Sequence, residues 1–229
     1  MGQAAFPRFR AVADHAVLAE FGDTISDAAH RQVLDLDAVL AVTGFDGFVE
    51  SVPAYASLLV DFDPLRTDPV RVTQALQAML TCAPPARPAP VIREVDLCYD
   101  ADLGPDLAAV AQAAGLSVEA AIAAHLAGDY QVFMYGFAPG YAYLAGVPAA
   151  LRLPRKPVAR RGVAAGSVII AAAQCLVTTL TMPTGWWIIA ASPTQVLRDD
   201  PARPFLFDVG DRVRFRRIGR AAFDAARRG

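Results

Sequence analysis

Four prolines within residues 83–90 constrain the fold of this chain more than any other feature of its sequence. Proline lacks the backbone N–H and its ring clashes with the preceding turn, so it interrupts helices and is rare in central strands. The segment is therefore predicted to be a Pro-rich linker. It separates residues 1–82 from residues 91–229, and each part has the size of an independent domain.

The part before the linker has the pattern of a small α+β domain. Ser26 and Asp68 are suited to cap two helices, and Pro69 stands at a favoured first helical position. The order strand, helix, strand, strand, helix predicts a ferredoxin-like domain, and residues 91–98 could supply a closing strand from beyond the linker. The predicted elements are a strand or hairpin at 8–21, strands at 48–52 and 57–62, and helices at 26–40 and 68–80.

The part after the linker is dominated by short β-prone runs separated by Gly and Pro. Two short helices, each opened by a capping residue, are expected at 106–114 and 117–127. So many short strands with turn signals between them predict a closed or nearly closed β-barrel. The predicted strands are 91–99, 130–137, 167–173, 175–180, 186–190 and 212–218.

Composition excludes several classes of protein. Of the 229 residues 55% are hydrophobic and the mean hydropathy is +0.34, so the chain is not intrinsically disordered. A net charge of −2 argues against a nucleic-acid or acidic-membrane binder. No apolar run reaches the roughly 18 residues of a membrane helix. Met1–Arg10 lacks the apolar core of a signal peptide, so we expect a cytoplasmic protein.

The usual signatures of self-contained catalysts are missing from the sequence. Its only lysine, Lys156, is followed by Pro157, so there is no phosphate-binding P-loop. Dinucleotide-binding, HExxH and nucleophile-elbow motifs are missing too. The cysteines have no CxxC spacing, so the sequence predicts neither a disulfide framework nor a metal site. We therefore expect no stand-alone enzyme of a familiar type.

The small net charge conceals an uneven distribution. Residues 1–151 carry 18 acidic and seven basic groups, whereas residues 152–229 carry five acidic and 14 basic groups. The two halves could simply dock on each other, and the charge distribution by itself favours this explanation. Alternatively, a basic surface late in the chain meets an anion or an acidic partner.

Residues 136–144, Gly-Phe-Ala-Pro-Gly-Tyr-Ala-Tyr-Leu, follow an apolar strand. Pro139 and Gly140 suit the two central positions of a type II turn, where Gly supplies the positive φ. Such a corner would present Phe137, Tyr141 and Tyr143 as the wall of a pocket. The alternative is a tight barrel turn with aromatic side chains in the core.

Four cations, Arg155, Lys156, Arg160 and Arg161, lie within seven residues of a Pro-interrupted segment. Arginine binds carboxylate or phosphate through paired N–H groups, so the segment is either an anion site or a solvated basic loop. The nearby Gly166-Ser167 pair adds a hydroxyl and a backbone that can approach a ligand closely.

Two single residues are further candidates. Gln174 lies in an apolar stretch, and a buried amide needs a partner, either backbone or a bound ligand. His125 lies at the end of a predicted helix, where it is either a structural hydrogen-bonding residue or a catalytic base.

Taken together, these segments resemble the family of B-type subunits of 5-oxoprolinase. This family is also called allophanate hydrolase subunit 1 and includes the sporulation-kinase inhibitor KipI. The resemblance covers nearly the whole chain. The matching segments are 20–23, 52–60, 104–107, His125, 136–144, 154–155, 166–168, 185–186 and 210–215.

The resemblance implies a ferredoxin-like N-terminal domain and a cyclophilin-like β-barrel C-terminal domain. It also implies two partner proteins. One is a C-type subunit with a related barrel that is similar to biotin-dependent carboxyltransferases, and the other is an A-type subunit. Such complexes open the lactam of 5-oxoproline to glutamate with ATP. Whether ATP contacts this chain or binds only in the complex is left open.

Two alternative functions remain open from the same resemblance. One is a regulatory binder similar to the kinase inhibitor, which would carry out no reaction. The other is a component of allophanate or urea-amidolyase chemistry.

From this resemblance and the motifs above we predict a site for a small anionic amide. Its catalytic residues are expected to be Arg155, Lys156, Arg160 and His125. The residues expected to bind the substrate are Phe137, Pro139, Gly140, Tyr143, Gly166, Ser167, Gln174 and Thr178.

The chain departs from the family pattern at several positions. Where relatives usually carry Gly-Gly-Gln-Thr-Gly followed by Tyr-Pro, this sequence has residues 172–176, Ala-Ala-Gln-Cys-Leu, and then Thr178-Thr179. Thr184 replaces a glycine and Ala191 replaces an arginine. Added methyl groups and a lost cation could narrow or retune the pocket, so the identity of the amide is open.

Overall fold

The computed structural model describes residues 6–86 and 89–228. The chain divides into two compact units, Met1–Ala89 and Pro90–Gly229. The division falls inside the proline-rich segment.

The first unit is a four-stranded antiparallel sheet with two helices. Ser26 and Asp68 cap these helices as expected, because their side chains accept hydrogen bonds from backbone N–H groups of the first turn. The strand order is β1-β2-β4-β3. The elements are β1 Arg8–Val12, β2 Ala16–Glu20, α1 Asp27–Thr43, β3 Phe48–Pro53, β4 Ser57–Phe62 and α2 Pro69–Met79.

The suggestion that residues 91–98 close this first sheet is wrong. β5, Ile92–Leu97, pairs in parallel with β13, Arg212–Arg217, in the second unit. The sheet edge beside β2 is occupied by β1, which the chain brings there through a short hairpin. The α+β class of this unit is confirmed, and its ferredoxin-like type stays a prediction.

The second unit contains a nearly closed β-barrel, as predicted. Its seven strands have the order β12-β9-β10-β7-β6-β13-β5. Cys98, just after β5, pairs with Ala191 at the end of β12 through two backbone hydrogen bonds of 2.8 and 2.9 Å. This bridge links the two outermost strands. The remaining strands of the sheet are β6 Tyr130–Tyr135, β7 Ala142–Ala145, β9 Ser167–Ala171, β10 Gln174–Val177 and β12 Trp187–Ala191.

Several short elements were not predicted. β8, Arg160–Val163, and β11, Met182–Thr184, form a separate two-stranded ribbon, so Arg160 and Arg161 lie in a strand rather than a loop. α5, Arg220–Ala226, follows β13. The two predicted helices are present as α3, Leu107–Ala113, and α4, Val118–Leu126. Among the described residues no single helix has the length and composition to span a membrane. Taken together, α3 and α4 have that length and composition, but the pair is bent by 92°.

The barrel wall separates two hydrophobic clusters. Every strand of the seven-stranded sheet contributes to one cluster, which therefore fills the barrel interior together with residues of α3 and α4. Alternate residues of β9, β10 and β12 point the other way and form an outer cluster under the β8–β11 ribbon. On β10, for example, Cys175 faces the interior and Leu176 faces outward.

The late arginines largely neutralise acids of the same unit. Arg216 contacts Asp96 at 2.6 Å, Arg217 contacts Glu119 at 2.6 Å, and Arg212 contacts Asp129 at 2.8 Å. These pairs support internal docking as the main reason for the uneven charge. They do not include the arginines of residues 155–161.

Candidate functional site

A small pocket of about 160 Å³ lies on the outer face of the barrel wall. It brings together three predicted site residues, Phe137, Tyr143 and Arg155. Leu176 of β10 and Ile169 of β9 also line it, because the pairing of these strands places both side chains on the outer face. Tyr141, which the 136–144 motif predicted as part of a pocket wall, lines it too. The pocket also includes residues that were not predicted to line it, namely Pro183, Thr184, Gly185 and Trp186.

The corner at residues 136–141 presents one wall of this pocket. The N–H of Ala138 donates to the Gly136 carbonyl at 2.9 Å, which makes a γ-turn around Phe137 with φ +72°. This positive-φ form of the γ-turn is rare and strained for a residue with a side chain. The predicted turn follows, with Gly140 at φ +73° and a bond from the Tyr141 N–H to the Ala138 carbonyl. Phe137 is thereby held 75% exposed at the pocket rim.

Arg155 supplies the charge of the pocket. Its guanidinium carbon lies 5.7 Å from the centre of the Trp186 ring, which itself packs edge-on against Tyr143. Among the described residues no carboxylate lies within 4 Å of this side chain. The backbone on either side of Arg155 is fixed, because the Pro154 carbonyl accepts from the Trp187 ring and the Lys156 N–H donates to Gly185. The pocket thus combines aromatic walls with an exposed, oriented cation.

Burial raises the pKa of two tyrosines that line the pocket. Burial raises the pKa of Tyr143, and the neighbouring Arg155 charge partly opposes that rise. Burial also raises the pKa of Tyr141. Both hydroxyls are therefore neutral near pH 7 and can donate a hydrogen bond.

Lys156, predicted to be catalytic, lies outside the pocket. Its Nζ contacts a carboxylate oxygen of Asp106 at 2.5 Å, and that oxygen also accepts from the Ile188 N–H at 2.8 Å. Asp106 was expected to cap α3, and this expectation is wrong: its side chain makes no capping hydrogen bond because the carboxylate contacts Lys156 and Ile188 instead. This ion pair is largely buried, and it joins α3 to the loop that carries Arg155.

His125, also predicted to be catalytic, lies in the barrel interior and is 1% exposed. Its Nδ1 is 2.7 Å from the Tyr99 hydroxyl, and its Nε2 is 3.7 Å from Sγ of Cys175. The ring stacks on Phe215 at 5.0 Å. Burial lowers the pKa of His125 to about 3, so the ring is neutral. This placement is that of a structural residue.

Arg160 and Gln174 lie beside the pocket. Arg160 of β8 is the cross-strand partner of Thr184, which lines the pocket. Gln174 begins β10 on the same face as Leu176. The expectation of a buried amide is wrong, because Gln174 is only half-buried at the β9–β10 hairpin turn.

The remaining predicted residues surround a second cavity, here called the polar groove, of about 600 Å³. Gly166 and Thr178 line it, and the backbone N–H of Ser167 donates to Oγ1 of Thr178 at 2.9 Å. The Pro139 carbonyl accepts a bond of 2.6 Å from Thr179, which also lines the groove. A Cβ added to Gly140 would come within 3.0 Å of that threonine. The structure therefore divides the predicted site between two cavities that share the 136–141 corner.

Most departures from the family pattern lie away from the pocket. Ala172, at φ +48°, and Ala173 form the hairpin turn, Cys175 faces the interior, and Ala191 takes part in the barrel closure. Two departures line the pocket: Leu176, where relatives carry a glycine, and Thr184, whose hydroxyl accepts from the N–H of Trp186 at 3.1 Å.

Trp186 is the main residue of the pocket that sequence reasoning missed. One of only two tryptophans, it belongs to the Gly185-Trp186 match with the family, which was the available signal. Among the described residues no group of three or more His, Cys, Asp or Glu side chains is arranged to hold a metal ion.

Comparisons with known proteins agree with this architecture. Residues 7–207 match the family described as carboxyltransferase domain, subdomain C and D. The chain is 33% identical to the B-type subunit of 5-oxoprolinase from Bacillus subtilis over 223 residues, which cover 93% of each chain.

Two solved structures share the fold. TTHA0988 is 36% identical over 90% of this chain with a TM-score of 0.78, and the match covers only 40% of that protein. The urea amidolyase of K. lactis has the same TM-score at 15% identity, with 95% of this chain and 15% of the amidolyase covered. The likeness to the amidolyase shows the fold alone. The chain therefore belongs to the carboxyltransferase subdomain C and D family, to which its resemblance to 5-oxoprolinase had pointed.

Proposed function

We propose that this chain is the B-type subunit of an ATP-dependent 5-oxoprolinase-type amidohydrolase. It acts with a C-type subunit similar to biotin-dependent carboxyltransferases and with an A-type subunit. One observation carries the proposal: the aromatic pocket of a chain in this family holds an exposed arginine, Arg155, with no carboxylate partner among the described residues. Similarity to a named B-type subunit of 5-oxoprolinase over 93% of both chains supports it.

The pocket suits a small cyclic amide that carries one carboxylate. Its volume of about 160 Å³ is below the roughly 300 Å³ at which pockets for larger ligands begin. The rings of Phe137, Tyr143 and Trp186 offer flat apolar walls to a five-membered lactam. Arg155 can bind the carboxylate through two N–H groups, which fixes the orientation of the ring.

The chemistry requires activation of an amide. Phosphoryl transfer from ATP to the lactam oxygen makes the amide carbon open to attack by water. This chain contributes orientation and charge: Arg155 holds the substrate carboxylate, Arg160 adds positive potential from β8, and neutral Tyr143 can donate to a polar atom of the ring. The pocket is too small for a nucleotide, so no step by ATP is assigned to it.

The proposal also includes the fold type of each domain and the location of the complex in the cell. The N-terminal unit is assigned the ferredoxin-like type and the barrel the cyclophilin-like type, with the linker at residues 83–90. The complex is assigned to the cytoplasm. The two domain types rest on the resemblance and on the sheet orders described above.

The test is reconstitution of the complex. We expect this chain, coexpressed with its C-type and A-type partners, to give ATP hydrolysis that depends on 5-oxoproline. The matched control is the same preparation without this chain, and urea serves as the alternative substrate. An unchanged rate without this chain, or stimulation by urea instead of 5-oxoproline, would contradict the proposal.

A further inference from the structure

The polar groove has no role in the proposed reaction, yet it is the larger of the two cavities around the 136–141 corner. Its volume of about 600 Å³ falls within the range of small-molecule sites, roughly 300 to 1,000 Å³. All of its lining residues belong to the second unit. The volume is enough for a phosphate group together with an attached organic group.

Polar side chains dominate the lining of the groove. The hydroxyls of Thr178, Thr179 and Ser192 already donate to backbone carbonyls, those of Ala164, Pro139 and Asp96. Thr194, Gln195 and Arg227 add a hydroxyl, an amide and a guanidinium to the lining. Among the described residues that line it, none is Asp or Glu. A groove with one cation, neutral hydrogen-bonding groups and no carboxylate favours an anion over a cation.

The floor of the groove is rigid. Gly166 has φ +85°, and a Cβ there would lie 2.6 Å from the Ser192 carbonyl oxygen. The backbone of Gly166 bonds to Thr178 on one side at 2.6 Å and to Ser192 on the other at 2.7 Å. The Ser192 hydroxyl donates to the Asp96 carbonyl and accepts from the Thr194 N–H. The cavity is therefore formed before any ligand arrives.

Arg227 is held at the groove by α5. Phe223 of this helix is 2% exposed and packs against the barrel closure at Cys98 and Ala191. Arg220 ties the start of the helix to Asp102 at 2.7 Å. Arg227 itself lies over the Phe223 ring at 5.8 Å, and no carboxylate among the described residues is within 4 Å of it. It is thus a cation at the groove for which the described part of the chain holds no carboxylate counter-ion.

We propose that the polar groove is a second ligand site and that it binds a phosphate-bearing small molecule. Arg227 contacts the phosphate oxygens, and Gln195 and Thr194 add neutral hydrogen bonds. Arg227 lies beyond residues 7–207, the part that matches the family, so the site combines family residues with a feature outside that match. The site does not depend on the proposed amidohydrolase activity.

Calorimetric titration of the full chain with ADP and, separately, with pyrophosphate tests this site. We expect saturable binding of at least one of the two. Binding of both shows that the phosphates suffice, and binding of ADP alone shows that the organic group contributes. Arg227→Ala should weaken binding about tenfold, the loss expected for one charge-assisted contact. Gln195→Leu replaces an exposed side chain by one of similar size without the amide, and it should weaken binding by less than Arg227→Ala does.

Arg228→Ala is the matched control, since this neighbouring arginine is exposed and outside the groove lining, and it should leave binding unchanged. The site is overturned if neither probe binds, if L-glutamate binds and the phosphates do not, or if Arg227→Ala binds as tightly as the natural chain. Because the titration needs neither partner subunits nor 5-oxoproline, failure of the amidohydrolase proposal does not affect its outcome.

Discussion

The two faces of the barrel wall differ in the polar side chains beside them: those on the inner face are buried, whereas Arg155 on the outer face is exposed to solvent. On the inner face, His125 is enclosed with Tyr99 and Cys175, and burial raises the pKa of both of these partners while lowering that of the histidine. All three groups are therefore uncharged. On the outer face, the guanidinium of Arg155 lies at the solvent-accessible edge of an aromatic pocket. The strands of the wall separate these two environments, and on β10 Cys175 faces the interior whereas Leu176 faces the pocket.

This difference shows that the presence of a titratable or cationic side chain does not identify a site. His125 lies where charge is excluded, and Lys156 lies where its charge is already matched by Asp106. Arg155, the immediate neighbour of Lys156, has no such match among the described carboxylates. What distinguishes a candidate anion site is a charge that the fold orients and leaves unmatched.

The largest effect is expected from protonation of the inner face. Since the pKa of His125 is about 3 in the folded chain and near 6.5 when unfolded, the unfolded chain binds a proton that the folded chain excludes. Stability should therefore fall as the pH drops from about 6.5 towards 3, by about 1.4 kcal/mol per pH unit.

Urea unfolding at several pH values between 7 and 4 measures this dependence. His125→Gln should remove the histidine contribution and flatten the curve. His15→Gln is the control, because His15 is exposed, and it should retain the steep curve. Equal slopes for the natural chain and His125→Gln would show that the inner face does not exclude charge.

A smaller effect is expected at the matched cation beside the pocket. Lys156→Ala leaves the Asp106 carboxylate largely buried without its partner, and we expect a loss of about 2 kcal/mol in the free energy of unfolding. Asp106→Asn in the same background removes the unpaired charge and should recover part of that loss. If Lys156→Ala unfolds at the same urea concentration as the natural chain, Lys156 is not a structural cation.

The smallest effect is expected at an exposed matched pair. Arg217 and Glu119 form two hydrogen bonds at the surface, where solvent screens the attraction. The double replacement Arg217→Ala with Glu119→Ala should leave the thermal midpoint nearly unchanged. A large drop would mean that surface pairs also hold the barrel together.

Local signals predicted much of the fold. The helix caps at Ser26 and Asp68 and the turn at Pro139-Gly140 depend on a few consecutive residues, and the structure has them where the sequence indicates. The strands that escaped prediction, β7, β8 and β11, have only three or four residues each, too few to show a period. β11 also contains Pro183, which argues against a strand unless the strand is at an edge.

The candidate site was harder to predict because it depends on long-range register. Lys156 meets a carboxylate 50 residues earlier in the chain, and no local pattern shows that pairing. Trp186 reaches the pocket only because β12, β9, β10 and β7 are adjacent in the sheet. Phe137, Tyr143 and Arg155 were identified from their motifs, but the separation of Gly166 and Thr178 into another cavity follows from the fold.

Replacement of Arg155 in the reconstituted complex tests most directly whether the outer pocket binds the substrate through this charge. We expect Arg155→Ala to lower kcat/KM for 5-oxoproline about 100-fold while the complex still assembles. Arg214→Ala, an exposed arginine of β13 outside the pocket lining, should retain the natural value. An assembled Arg155→Ala complex with undiminished kcat/KM would show that the outer pocket does not bind the substrate through Arg155.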